Sequence, residues 1–209
     1  MHKDVAGLEL RVEPQQARAR NAIDSVLEAT GVLLDEVGYD GLTTKAVAAK
    51  AGVNIATLYR YFPDKLSLAR ALATRYEAQY GTRLGAQLEQ LAVTDDWRAG
   101  IHALIEETVR VRKLQPGMEG LRRALPSSTE LRLLQDEILN GVIRDVGAVL
   151  MARNPSLQAK DARVYATTAV TATDAVLTLR FHRFTAKQAA QQAAEVLIAY
   201  LAPVLDAAA

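Results

Sequence analysis

Apolar residues recur at three- and four-residue steps along nearly the whole chain, and no useful segment alternates with a period of two. That spacing gathers the apolar side chains of each segment on one face of an α-helix and argues against a sheet. The sequence therefore predicts an all-α fold. Ile23, Val26, Leu27, Thr30, Leu33, Leu34 and Val37 make one stripe over 15–37, closed by Gly38 and Gly41. Thr43 or Thr44 then caps a short helix to about Lys50, Gly52 makes a turn, and Asn54 caps a second short helix over 55–61. Pro63 ends that helix and opens a long one over about 64–91. Further helices are expected near 95–113, 118–125, 127–152, 158–183 and 186–205, after a loose tail over 1–14.

Composition excludes several classes. Half of the 209 residues are hydrophobic and 23% are charged, as in ordinary globular proteins. There is no Cys, so neither a disulfide framework nor a thiolate nucleophile is available, which suits a reducing cytoplasm. The first residues lack the apolar core of a signal peptide, and no apolar run nears the roughly 18 residues of a membrane span. Neither a Gly-rich phosphate loop, a nucleophile elbow nor a metalloprotease-spaced His–Glu pair is present, and His2, His102 and His182 are not spaced as metal ligands. No enzyme activity, metal or cofactor is expected.

The net charge of +1 says little, but its distribution says more. Residues 15–40 hold Arg18 and Arg20 against Asp24, Glu28, Asp35, Glu36 and Asp40, whereas 41–65 hold Lys45, Lys50, Arg60 and Lys65 against Asp64. Such a local excess can face phosphate, or can simply be a solvated face. The chain has seven Tyr, three Phe and one Trp, yet Tyr59, Tyr61 and Phe62 fall within four positions of this basic stretch.

Helix, short helix, Gly turn and short helix form a helix-turn-helix on a supporting first helix. One α-helix fits a DNA major groove, and its neighbour offers N-terminal amides to the backbone. Here Thr43, Thr44 and Lys45 stand at the neighbour's start, and Asn54, Ile55, Ala56 and Thr57 lead the recognition helix, followed by Tyr59, Arg60 and Tyr61. Leu58 and Phe62 share the inward face, while the tyrosine hydroxyls can reach phosphate. Arg60 can pair with guanine or hold a phosphate, and Lys65 is placed as a phosphate clamp. The plain alternative is that the tyrosines are core residues.

The stretch "LTTKAVAAKAGVNIATLYRYFPDKLSL", residues 42–68, resembles the DNA-binding signature of the TetR family of transcriptional regulators. Ala51-Gly52-Val53, Thr57-Leu58-Tyr59, Tyr61-Phe62 and Lys65-x-x-Leu68 carry the likeness, which by motif covers about 15–68. The resemblance implies phosphate contacts at Thr43, Thr57, Tyr59, Tyr61 and Lys65, and base contacts at Ile55, Ala56 and Arg60. It also implies a DNA-binding domain over 15–65 and a ligand-binding and dimerisation domain over 66–209. The function it implies is that of a repressor that binds a palindromic operator as a dimer and is released by a small, largely apolar effector.

The sequence permits both C-terminal roles. Alanines at 162, 166, 169, 172 and 175, and at 189, 190, 193 and 194 with Leu197, Leu201 and Leu205, let helices approach closely. They fit a homodimer through 158–183 and 186–205, or a core within one chain. Trp97, His102, Met118, Tyr165, Thr168, Thr171 and Asp174 are the candidate effector contacts, with Glu106 and Arg110 as a surface pair beside them. The helix over 64–91 is expected to link that region to Lys65 as a lever. A protein-interaction module built on a helix-turn-helix scaffold is the rival reading, and salt-dependent duplex binding separates the two.

Overall fold

A computed structural model describes residues 17–114, 116–125, 129–178 and 185–206. These residues form α1 (Ala17–Gly41), α2 (Thr44–Ala51), α3 (Ile55–Tyr61), α4 (Lys65–Val93), α5 (Trp97–Leu114), α6 (Met118–Ala124), α7 (Thr129–Arg153), α8 (Ala159–Thr178) and α9 (Ala186–Leu205), with no strand among them. The expected tail over 1–14, the start of α7 at 127–128 and the end of the eighth helix at 179–183 lie outside the described residues. Among the described residues no helix is long and apolar enough to cross a membrane.

The chain groups into two compact units. One draws on Met1–Gln79 with Lys113–Gln135, the other on Tyr80–Arg112 with Asp136–Ala209. This grouping differs from a single boundary after residue 65, because the first half of α4 and all of α6 pack with the first three helices.

In the first unit, α1 turns Val26, Leu27, Leu33 and Leu34 inward, and the hydroxyl of buried Thr30 donates to the Val26 carbonyl at 2.7 Å. The stripe stops short of Val37, which is 52% exposed. Gly38 follows it with φ 69° and ψ 178°, a backbone that only Gly adopts without strain, and a last turn runs to Gly41. Local chemistry sets the next two helices. Thr43 caps α2 by accepting from the Ala46 amide at 3.1 Å, Gly52 closes it at φ 66°, and Asn54 caps α3 by accepting from the Ala56 amide at 2.8 Å. Leu58 and Phe62, each 1% exposed, are among the most deeply buried side chains of this unit, as are Leu42, Val47, Leu68 and Leu72, and α3 packs on α2 and α1. Asp64 and Ser67 cap the start of α4 reciprocally.

α6 lies against α1 with backbone on backbone. Side chains at Gly31 or Gly120 would collide with the carbonyl oxygens of Pro116 and Leu34. The Asp35 carboxylate accepts from the amides of Gly117 at 2.6 Å and Gly120 at 3.0 Å, which caps α6 from the neighbouring helix. The Tyr76 hydroxyl donates to the Pro116 carbonyl. Burial raises the Tyr76 phenol to about 12.

The second unit is built on an apolar cluster that includes Leu91, Trp97, Ile101, Ile105, Leu150 and Leu197. α8 packs on α9, and Ala162, Ala166, Ala169, Ala193 and Ala194 are all buried there. These five alanines therefore serve the interior of one chain, whereas Ala175 of the same row is exposed. Arg153 donates to the carbonyls of Leu91 and Thr94 at the end of α4, and Asn154 donates to the buried Val204 carbonyl at 2.8 Å.

Candidate nucleic-acid interface

The outward side of α3 consists of Ile55, Ala56, Thr57, Tyr59 and Arg60, all exposed. Leu58 and Tyr61, three apart, face inward together with Phe62. Both tyrosine hydroxyls were expected to reach phosphate, and the fold sets the two rings apart, with Tyr61 on the inward side of α3. Its ring is only 6% exposed, against 43% for Tyr59, because position 61 falls on the buried side of the helix. Arg60 remains outside, with its guanidinium carbon 5.7 Å from the Tyr61 ring centre.

The Tyr59 and Thr44 hydroxyls share a hydrogen bond of 2.9 Å, which joins the outward side of α3 to the first residue of α2. Thr43, capping that same turn, is exposed, and so is Lys45. Hydroxyls and an ammonium thus meet the N-terminal end of a helix, the chemistry that receives a phosphate. Asn54 uses its side-chain oxygen on its own helix, so that atom is committed to the cap.

Two of the four cations counted over 41–65 are engaged inside this unit. The Lys50 ammonium lies 2.9 and 3.0 Å from the two Glu36 carboxylate oxygens. Lys65 is half-buried, with its ammonium 4.4 Å from the centre of the Tyr39 ring and donating to the Tyr39 carbonyl at 3.2 Å. Burial, followed by Asp64, Glu130 and Asp40, raises the Tyr39 phenol above its ordinary value and keeps it neutral. Sequence reasoning missed Glu36 and Tyr39. The acidic bias over 15–40 was visible, but nothing local showed which acid would meet which cation.

The candidate effector residues are placed as follows. Met118 opens α6 in the first unit, half-buried. The other six belong to the second unit. Trp97 is a core residue whose indole donates to Asp206 at 3.1 Å, and Arg98 beside Asp206 holds that carboxyl below its usual range. His102 on α5 is exposed, as are Thr168 and Thr171 on α8. Tyr165 lies half-buried with its ring centre 5.4 Å from that of Tyr200. Asp174 pairs with Arg112 at 2.9 Å. Arg110 pairs with Glu107 at 2.6 Å, where the sequence suggested Glu106. On a helix both i−3 and i−4 neighbours are in reach.

Comparison with known proteins decides the family. The family model of bacterial regulatory proteins, tetR family, matches residues 26–72, and that of the tetracyclin repressor-like C-terminal domain matches residues 96–201. The chain belongs to the TetR family. It is a DNA-binding regulator of that family and not an enzyme. Among curated relatives, it is 26% identical to the HTH-type transcriptional repressor DrrR1 of Streptomyces coeruleorubidus, over 67% of this chain and 55% of that protein. It is 38% identical to the class A tetracycline repressor from transposon 1721 of Escherichia coli, over 36% of this chain and 33% of that one. The chain thus spans about half the length of the first relative and a third of the second. A TetR-family transcriptional regulator from Streptomyces coelicolor superposes with a TM-score of 0.65 at 28% identity, covering 88% of this chain and 99% of the other.

Proposed function

We propose that this TetR-family chain is a repressor that binds a palindromic operator as a homodimer and leaves it when a small, largely apolar effector occupies the helical C-terminal region. The observation that carries the DNA reading is the Thr44–Tyr59 hydrogen bond, which brings phosphate-type donors and the exposed row of α3 onto one surface. Thr43, Thr44, Lys45, Thr57 and Tyr59 take phosphates. Ile55 and Ala56 offer methyl contacts to thymine, and Arg60 pairs with guanine.

Dimerisation uses the exposed rows of the last two helices, not their alanine faces. On α8 that row is Val164, Thr168, Thr171 and Ala175, and on α9 it is Gln192, Val196, Ala199 and Pro203. Neither row carries a charge, and Val164 is 62% and Val196 43% exposed. Uncharged, small-residue surface of this kind suits a four-helix contact between copies. Thr168 and Thr171, first considered for the effector, fit this face better. Of the remaining effector candidates in the second unit, Trp97 and Tyr165 belong to the apolar cluster and Asp174 is paired with Arg112, a mix of apolar and polar groups as in small-molecule sites. Relatives named as tetracycline repressors support a small organic effector.

Release requires the effector to favour a state in which α4 no longer holds α3 at the operator spacing. By linkage, operator DNA then weakens the effector by the same factor. Calorimetric titration of an effector found by screening, with and without operator duplex, tests this. Unequal affinities are expected, and equal ones overturn the release mechanism.

A further inference from the structure

α4 runs through the border between the two compact units, which falls between Gln79 and Tyr80. Its first half buries Leu68, Ala69, Leu72, Ala73 and Tyr76, and its second half buries Leu84 and Leu91. Residues 77–83, about two turns of helix, contribute no buried side chain. Gly81 lies in this stretch, and Gly85 follows one turn later. Among the described residues, a Cβ added at either glycine would meet no atom within 4 Å beyond the adjoining backbone. They differ in this from Gly31 and Gly120, where a Cβ would collide with backbone carbonyls. No close approach within the chain therefore calls for Gly at 81 or 85. Yet each weakens a helix interior about fivefold against Ala, because Gly gives up more freedom on folding. What the pair supplies is backbone freedom, at the point of α4 that packing restrains least. The helix is held before it, where Arg75 stands 3.7 Å from Asp24 and Tyr76 donates to Pro116. It is held after it, where Arg153 donates to the carbonyls of Leu91 and Thr94.

We propose that the Gly81–Gly85 segment is a compliant joint in α4, so that this helix bends there and does not act as one rigid rod. This rests on the reading above of a dimer on a two-fold operator. The joint lets each copy's α3 adjust to the spacing of its half-site while the contacts at both ends of α4 stay made. It also gives an effector something to act on, since a ligand that favours one bend over another changes the spacing the dimer accepts.

The test is fluorescence-anisotropy titration of the full chain against a duplex selected from a random pool, and against the same duplex with one base pair added or removed between its half-sites. One base pair shifts a half-site by about 3.4 Å and turns it by about 35°. The joint predicts that the parent binds the altered duplexes within about tenfold of the selected one. The double variant Gly81→Ala with Gly85→Ala should bind the selected duplex within about threefold of the parent, but the altered ones at least tenfold more weakly than the parent does. It should also melt about 2–4 °C higher per substitution. Ala86→Gly, at an exposed position beside Gly85, should flatten the spacing profile further, whereas Ala148→Gly, at an exposed position of α7, should leave it as in the parent. A double variant with the parent's spacing profile overturns the joint, and so does an equal change with Ala148→Gly. A double variant that melts lower than the parent, or that no longer sediments as a dimer, overturns it as well, since the glycines then serve packing or the approach of a second copy. A parent that binds no duplex, or binds as a single chain, overturns the reading on which the joint rests. A parent that binds as two chains with any of the contrary variant patterns overturns the joint only.

Discussion

α3 and α8 are both amphipathic helices in the same chain, yet they convey different amounts. α3 has seven residues, and its inward side, Leu58 and Tyr61, is as distinct as its outward side of Ile55, Ala56, Thr57, Tyr59 and Arg60. Each outward residue has a partner type that a DNA groove supplies. α8 has twenty residues, of which Ala162, Ala166 and Ala169 are buried within the chain, while Val164, Thr168, Thr171 and Ala175 face out. Methyl and hydroxyl groups suit a second chain, a ligand or water almost equally. The lesson is that a site with ions, aromatic rings and caps announces its partner, whereas a smooth uncharged face does not.

The largest effect expected on this contrast is at the inward side of α3. Leu58→Ala should lower stability by about 2–5 kcal/mol in denaturant unfolding and abolish DNA binding with it. Next comes the outward side. Arg60→Ala should melt as the parent does but lose about 1–3 kcal/mol of specific affinity and relax one base preference per half-site in a selection experiment. Unchanged preference would move Arg60 to the phosphates. For α9, Val196→Arg should weaken self-association at least tenfold, about 1.4 kcal/mol, as read by sedimentation equilibrium, with circular dichroism unchanged. If association is unaffected, the exposed rows are not the dimer face.

The smallest effect tests whether the segment around α6 belongs to the DNA-binding unit. Tyr76→Phe strands the Pro116 carbonyl and should cost about 0.5–1.5 kcal/mol at neutral pH. Its pH signature is sharper. The folded phenol titrates near 12 against 10.0 for the free group, so the stabilisation is complete below about pH 10 and is lost as pH rises toward 12. The variant should lack that loss, and equal high-pH melting of both proteins would contradict the burial of Tyr76.

What the sequence made legible was local. Thr43, Gly52 and Asn54 act within three or four residues of themselves, so the bounds of α2 and α3 could be read from them. The pairs Thr44–Tyr59, Lys50–Glu36, Lys65–Tyr39 and Asp35 with Gly117 and Gly120 join residues 14 to 85 positions apart. No periodicity encodes such partners. For that reason the charge excess over 41–65 could not show that Lys50 would pair with Glu36 or that Lys65 would lie over the Tyr39 ring. The alanine rows of α8 and α9 pose the same difficulty, since a small face that admits a neighbouring helix of the same chain is identical in sequence to one that admits a partner's.

The central claim is that α2 and α3 read duplex DNA from a two-fold pair of chains. It is tested most directly by binding the full chain to a duplex selected from a random pool, alongside its isolated half-site. Stoichiometry is read by sedimentation, and affinity at several salt concentrations. The account predicts inverted half-sites about 34–36 Å apart or a multiple of that, two chains per duplex, far weaker half-site binding and affinity that falls steeply with salt. A single chain that binds the half-site as tightly as the full site, or binding indifferent to salt, would contradict it.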